Sequence, residues 1–124
     1  MTDPEQVTEA QDQAPLTTAM FHVLLALADG EKHGYAILKE VARRTEGKVR
    51  LSAGTLYGII KRLNGEGWIA ESDARPVASL DDERRRYYRL TELGRRVATT
   101  EARRLEELVE MARNKNLFRD PELA

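Results

Sequence analysis

The chain of 124 residues has no cysteine, only two histidines, and aromatic residues at 6%. The lack of cysteine excludes a disulfide framework and thiolate chemistry, and suits a reducing cytosol. His22 and His33, with no cysteine and no clustered carboxylates, do not make a zinc site. Neither has a Ser, Asp or Glu partner at a spacing diagnostic of a general base. No catalytic residue, metal or cofactor is therefore expected, and the chain does not read as an enzyme. Long hydrophobic runs are also lacking. The longest, near Val23 to Ala28, falls far below the ~20 residues that span a bilayer. The first residues are acidic and polar, unlike a signal or transit peptide. A cytoplasmic protein without a membrane partner is expected.

The length fits one domain plus an appendage and one modest core. Net charge is −1, which by itself argues against a polyanionic partner. The distribution points the other way. Residues 1–15 hold four of the 21 acids (Asp3, Glu5, Glu9 and Asp12) and no Lys or Arg. The remainder therefore carries 20 basic against 17 acidic side chains. Residues 48–62 hold Lys48, Arg50, Lys61 and Arg62 and no acid. Such clustering matters more for a phosphate-binding surface than the sum does.

Residues 1–14 contain almost nothing to bury and read as a disordered acidic tail. Apolar residues from Met20 to Ala28 predict a helix, either central or partly used in a dimer contact, closed by Asp29-Gly30. His33-Gly34 opens a second helix, with Ile37 and Val41 inward, that ends at Glu46-Gly47. Ser52 is a candidate N-cap for a third. In that helix Leu56, Ile60 and Leu63 recur at i, i+4, i+7 and face inward. Gly65 and Gly67 mark its end. Trp68 to Ser72 predicts a first wing strand with Trp68 as a core anchor, residues 73–83 a loop, and Arg84 to Leu90 a basic second strand. Thr91 caps a long last helix. Along it Ala98, Ala102, Leu105, Val109 and Ala112 follow a 4-3-4-3 heptad spacing, with Leu108 beside them. Glu101, Glu106, Glu107 and Glu110 read as solvating residues.

Helix, helix, helix, strand, turn, strand is the order of a winged helix-turn-helix. The expected fold is mainly α with a small antiparallel β-wing and a long C-terminal dimerisation helix. The expected divisions are an acidic tail over 1–14, the winged domain over 15–91, the dimerisation helix over 92–115 and a flexible tail over 116–124. The candidate DNA-binding residues are Ser52, Thr55, Tyr57, Gly58, Lys61 and Arg62 around the third helix, and Arg84 and Arg86 on the wing. Lys61 and Arg62 suit phosphates or guanine edges, and wing arginines suit the minor groove. Arg43 and Arg44 are further phosphate candidates against a solvated-face alternative. The candidate dimerisation residues are Ala98, Ala102, Leu105, Leu108, Val109 and Ala112.

His33-Gly34-Tyr35, Gly54-Thr55-Leu56-Tyr57, Leu63 through Trp68-Ile69, and Tyr87-Tyr88-Arg89-Leu90-Thr91 with Gly94 resemble the PadR family of winged-helix transcriptional regulators. The resemblance runs from about Leu16 to about Asn114. It implies prokaryotic transcription control, homodimers, a double-stranded DNA operator with two-fold symmetry, and in some relatives release by a small-molecule effector. Family members often carry proline after Leu-Tyr, where this chain has Gly58. The expected function is a sequence-specific homodimeric repressor. A winged-helix protein-interaction module, or a small winged-helix repressor of another family, is the alternative.

Overall fold

The structure is a computed structural model that describes residues 16–72 and 86–119. The expected acidic tail, the wing loop, Arg84 and the last residues of the expected C-terminal tail lie outside the described residues. The elements run α1 (Thr18–Leu27), β1 (Lys32–His33), α2 (Gly34–Arg44), α3 (Ala53–Gly65), β2 (Ile69–Ser72), β3 (Tyr87–Leu90) and α4 (Glu92–Asn114).

Each helix begins on a side chain that accepts a backbone N–H otherwise left without a partner. Thr17 Oγ1 accepts from Met20 N at 3.1 Å, and Ser52 Oγ from Thr55 N at 3.1 Å. Thr91 Oγ1 accepts from Gly94 N at 3.0 Å. His33 does the same with Nδ1, which accepts from Ala36 N at 3.2 Å. Such caps are each worth about 1 kcal/mol. Breaks fall where the sequence marks them. Glu46 (φ 53°) and Gly47 (φ 79°) turn the chain after α2, and Gly67 (φ 78°) turns it after α3.

α1 is the central element. Met20, Val23, Leu24, Ala26 and Leu27 are buried and meet α2, α3, α4 and β3. Ile37 and Val41 from α2, Leu56, Ile60 and Leu63 from α3, and Trp68 and Ile69 complete one core with Tyr88 and Val97.

The sheet is antiparallel in the order β1-β3-β2. The reading of residues 68–72 and 84–90 anticipates the β2–β3 pair, with Ile69 opposite Leu90 and Ser72 opposite Tyr87. It does not anticipate β1, whose Lys32 and His33 lie opposite Tyr88 and Tyr87. The described part of the second wing strand begins at Tyr87, with Arg86 just before it.

A second correction concerns Glu101. It is buried at 6% exposure rather than solvating its helix. Arg104 donates to both its oxygens, Nε to Oε1 at 2.9 Å and Nη2 to Oε2 at 2.6 Å. The Arg104 hydrogen bonds hold its carboxyl below the usual glutamate range against the opposing effect of burial, aided by the charge of Arg104 and the Leu16 backbone. A buried charge is tolerated when it is paired and hydrogen-bonded in this way. The chain's entry into α1 is thereby tied to the middle of α4.

Glu40 is the other buried acid. Its oxygens lie 3.5 Å from Lys32 Nζ and 3.2 Å from Arg44 Nε. Lys32 also donates to Asp29 Oδ1 at 2.6 Å. That bond, with the lysine charge, keeps the Asp29 carboxyl below its ordinary value. The α1–β1 turn, β1 and α2 thus share one charge cluster.

Candidate nucleic-acid interface

α3 separates its residues by chemistry. Leu56, Ile60 and Leu63 are buried. Gly54, Thr55, Tyr57, Gly58, Lys61, Arg62, Asn64 and Gly65 are all exposed. Gly54, Gly58, Lys61, Arg62 and Gly65 recur at i, i+4, i+7, i+8 and i+11, so they share one face. That face is basic towards the C-terminus, smooth towards the N-terminus, and free of acid along the helix. No carboxylate among the described residues pairs with Lys61 or Arg62.

A Cβ built at Gly54 or Gly58 would meet nothing within 4 Å. Neither glycine is needed for packing inside the chain. Each nevertheless costs the helix roughly 1 kcal/mol relative to alanine. Small residues there leave the helix backbone open to close approach from outside.

Ser52 is used as a cap, and its hydroxyl also donates to Thr55 Oγ1 at 2.9 Å. Tyr57 is 55% exposed. Its hydroxyl lies 3.1 Å from where a Cβ on Gly34 would sit. The ring therefore leans on the start of α2 while much of its surface stays open.

On the wing, Arg86 is exposed and its Nη1 reaches Glu71 Oε2 at 3.4 Å. An exposed pair of this kind is worth little, so Arg86 can exchange that carboxylate for a phosphate. On α2 both arginines are exposed, and Arg44 is drawn towards Glu40 and Asp29. Two further α2 residues that the sequence reading left out are an exposed ring and a cation beside it. Tyr35 is 59% exposed, and Lys39 Nζ lies 5.2 Å from its ring centroid. Their i, i+4 spacing on the outer face of α2 is the signal that could have found them.

The start of α4 is fastened to the end of α3. Thr91 N donates to Trp68 O at 3.0 Å, and Thr91 Oγ1 donates to Gly67 O at 2.6 Å. A Cβ at Gly94 would overlap the Trp68 carbonyl, so only glycine allows this approach. Trp68 itself is buried at 3%, the core anchor expected from the sequence.

Further along α4 the packing stops. Val97 is buried and Ala98 packs against the core, while Leu105 and Ala112 are half-buried. Ala102, Leu108 and Val109 are exposed, as are Met111, Leu117 and Phe118. An open groove of about 280 Å³ runs beside Glu106, Glu107, Glu110, Met111 and Asn114. Among the described residues no cluster of His, Cys, Asp and Glu could hold a metal ion, and no helix is long and apolar enough to cross a membrane.

Three helices, a three-stranded wing sheet and a long following helix define a winged helix-turn-helix protein. The sequence pattern of the transcriptional regulator PadR-like family matches residues 23–100. Transcriptional regulator Rv3488 of Mycobacterium tuberculosis is 40% identical over 87 residues, covering 70% of this chain and 75% of that protein. The chain belongs to the PadR-like family of transcriptional regulators, which are not enzymes. Solved structures share the fold. A PadR family transcription regulator from Clostridium difficile R20291 superposes with a TM-score of 0.68 at 24% identity, over 82% of this chain and 99% of that one. Bacillus subtilis PadR, solved in complex with operator DNA, gives 0.57 at 20% identity, over 67% of this chain and 46% of that one.

Proposed function

We propose that the protein is a homodimeric repressor that sets α3 of each protomer into the major groove of a DNA operator with two-fold symmetry. The observation that carries this reading is the exposed face of α3, cleared of acid and floored by Gly54 and Gly58. In this reading Ser52, Thr55, Tyr57 and Gly58 meet the groove, and Lys61 and Arg62 meet phosphates or guanine edges. Arg84 and Arg86 extend the contact along the wing. The operator complex of Bacillus subtilis PadR, which shares the fold, supports DNA as the partner.

Residues 15–91 form the DNA-binding unit and residues 92–115 the dimerisation helix. Ala98, Ala102, Leu105, Leu108, Val109 and Ala112 supply the seam with the mate. Pairing through α4 fixes the separation of the two α3 helices near one turn of DNA, ~34 Å. The protein works in the cytoplasm, and an effector releases the operator by binding one dimer state better than the other.

Selection of bound fragments from a random duplex pool, followed by salt titrations, tests the reading. The fragments should carry two-fold symmetric half-sites about one helical turn apart. Lys61→Ala should weaken binding roughly tenfold and make the log–log salt slope shallower by about one. Equal affinity and equal slope in Lys61→Ala and Arg86→Ala would reject the surface.

A further inference from the structure

We propose that His33 is a positioning residue that fastens the start of α2 to the wing, and does so only while its ring is neutral. Operator binding then weakens when that histidine takes up a proton. The functional half of this proposal rests on the DNA-binding reading given above.

The geometry has three parts that meet at one ring. First, His33 Nδ1 accepts the Ala36 N–H at 3.2 Å. An imidazole nitrogen accepts only when it carries no proton, and imidazolium has donors alone. Protonation would remove the cap and set a cation at the positive end of the α2 dipole. Both effects push the ring away from Ala36.

Second, His33 is part of β1 and lies opposite Tyr87 of β3. Its ring meets the Tyr87 ring edge-on, with centroids 5.4 Å apart and planes 88° apart. The base of the wing is thus held by the same side chain that starts α2. Third, the next residue is Gly34, against which the Tyr57 hydroxyl of α3 rests. A shift at positions 33–34 is felt at the N-terminal end of α3 and at the wing together. These are the two elements that the DNA-binding reading places on the operator.

The described groups facing the ring come from three elements, and His33 and Tyr87 each have a further interaction beyond them. From α2, the Tyr35 ring lies parallel to it at 6.5 Å, with Lys39 Nζ beyond that ring. From β3 comes Tyr87. Lys32 precedes it in β1, with its ammonium turned to Asp29 and Glu40. The direction of the effect is diagnostic. Acidification makes a protein more positive, which by itself strengthens phosphate binding. Weakening that depends on His33 runs against that trend. His22, on α1, provides no cap and serves as the control histidine.

The full chain, its His33→Asn variant and its His22→Asn variant would be compared from about pH 7.5 to about pH 5.5, either side of the ordinary histidine range. Asparagine can accept the Ala36 N–H but does not titrate there. Affinity for the selected operator and the NMR signal of the Ala36 amide are read in parallel. The wild type and His22→Asn should lose affinity on acidification by about fivefold, the scale of one lost cap. Their Ala36 amide should move with the same midpoint. His33→Asn keeps a cap but not the ring contact with Tyr87, so its affinity at the higher pH sets its own baseline, from which neither the affinity nor the Ala36 amide should change on acidification. An identical pH response in wild type and His33→Asn, or a wild-type Ala36 amide that does not move, overturns the proposal. If no duplex is bound at any pH, the DNA-binding reading is what fails, and the amide still decides the cap.

Discussion

α3 and α4 solve the same problem differently. Both carry an apolar stripe at helical spacing. α3 spends its aliphatic stripe inside the chain, on Leu56, Ile60 and Leu63, and shows small, polar and basic residues and the Tyr57 ring outside. α4 buries Gly94, Val97 and Glu101 in its first half and leaves Leu108, Val109 and Met111 exposed at 47%, 42% and 57%. A single chain therefore completes α3 and does not complete α4. In the proposed reading, water and phosphate fall to one helix and a protein surface to the other.

The same contrast appears in their glycines. Gly58 has open space where a Cβ would stand, and Gly94 has the Trp68 carbonyl there. One glycine is free of internal constraint, and the other holds two elements together.

The largest test falls on that second glycine. Gly94→Ala should destabilise the fold by roughly 3 kcal/mol, because neither helix backbone can yield without losing the Thr91 bonds. Thermal unfolding should show a midpoint lower by more than about 12 °C. A shift of a degree or two would mean that α4 can move off Trp68 at little cost.

The next test concerns the open half of α4. Val109→Asp should convert a two-chain species to a one-chain species in sedimentation, with a dissociation constant raised about a hundredfold. Far-UV circular dichroism should be nearly unchanged, since Val109 supports nothing within its own chain. An unaltered mass would place the dimer seam elsewhere.

The smallest effect belongs to Gly58→Ala. It should stabilise the monomer fold by up to about 1 kcal/mol, raising the melting midpoint by a few degrees. Operator affinity should fall at the same time, because the added methyl stands where the groove floor would approach. Gain of stability without loss of affinity would remove Gly58 from the interface and leave the basic half of α3 intact.

Much of this architecture is legible in the sequence because it is local. Ser52 and Thr91 announce their helices, Gly47 and Gly67 their turns, and the 4-3 spacing of α3 its buried side. β1 is not legible. Two residues carry no alternation, and Lys32 and His33 become a strand only because Tyr87 and Tyr88 lie beside them. Glu101 misleads for a related reason. An acid among acids on a long helix reads as solvated, and only the fold brings Leu16 and the forked hydrogen bonds of Arg104 to it. The α3 face was readable residue by residue.

The join at Trp68 and Gly94 also has a mechanical meaning. It is a fulcrum, and α4 is the lever arm. With 23 residues, the arm is about 34 Å long, so a tilt of about ten degrees at the fulcrum sweeps its far end through about 6 Å. The fulcrum is joined to the end of α3 by the backbone and side-chain hydrogen bonds of Thr91 and by the close approach of Gly94 to the Trp68 carbonyl. In the proposed reading, a push at the tip of the arm would reach the groove-facing helix through that join.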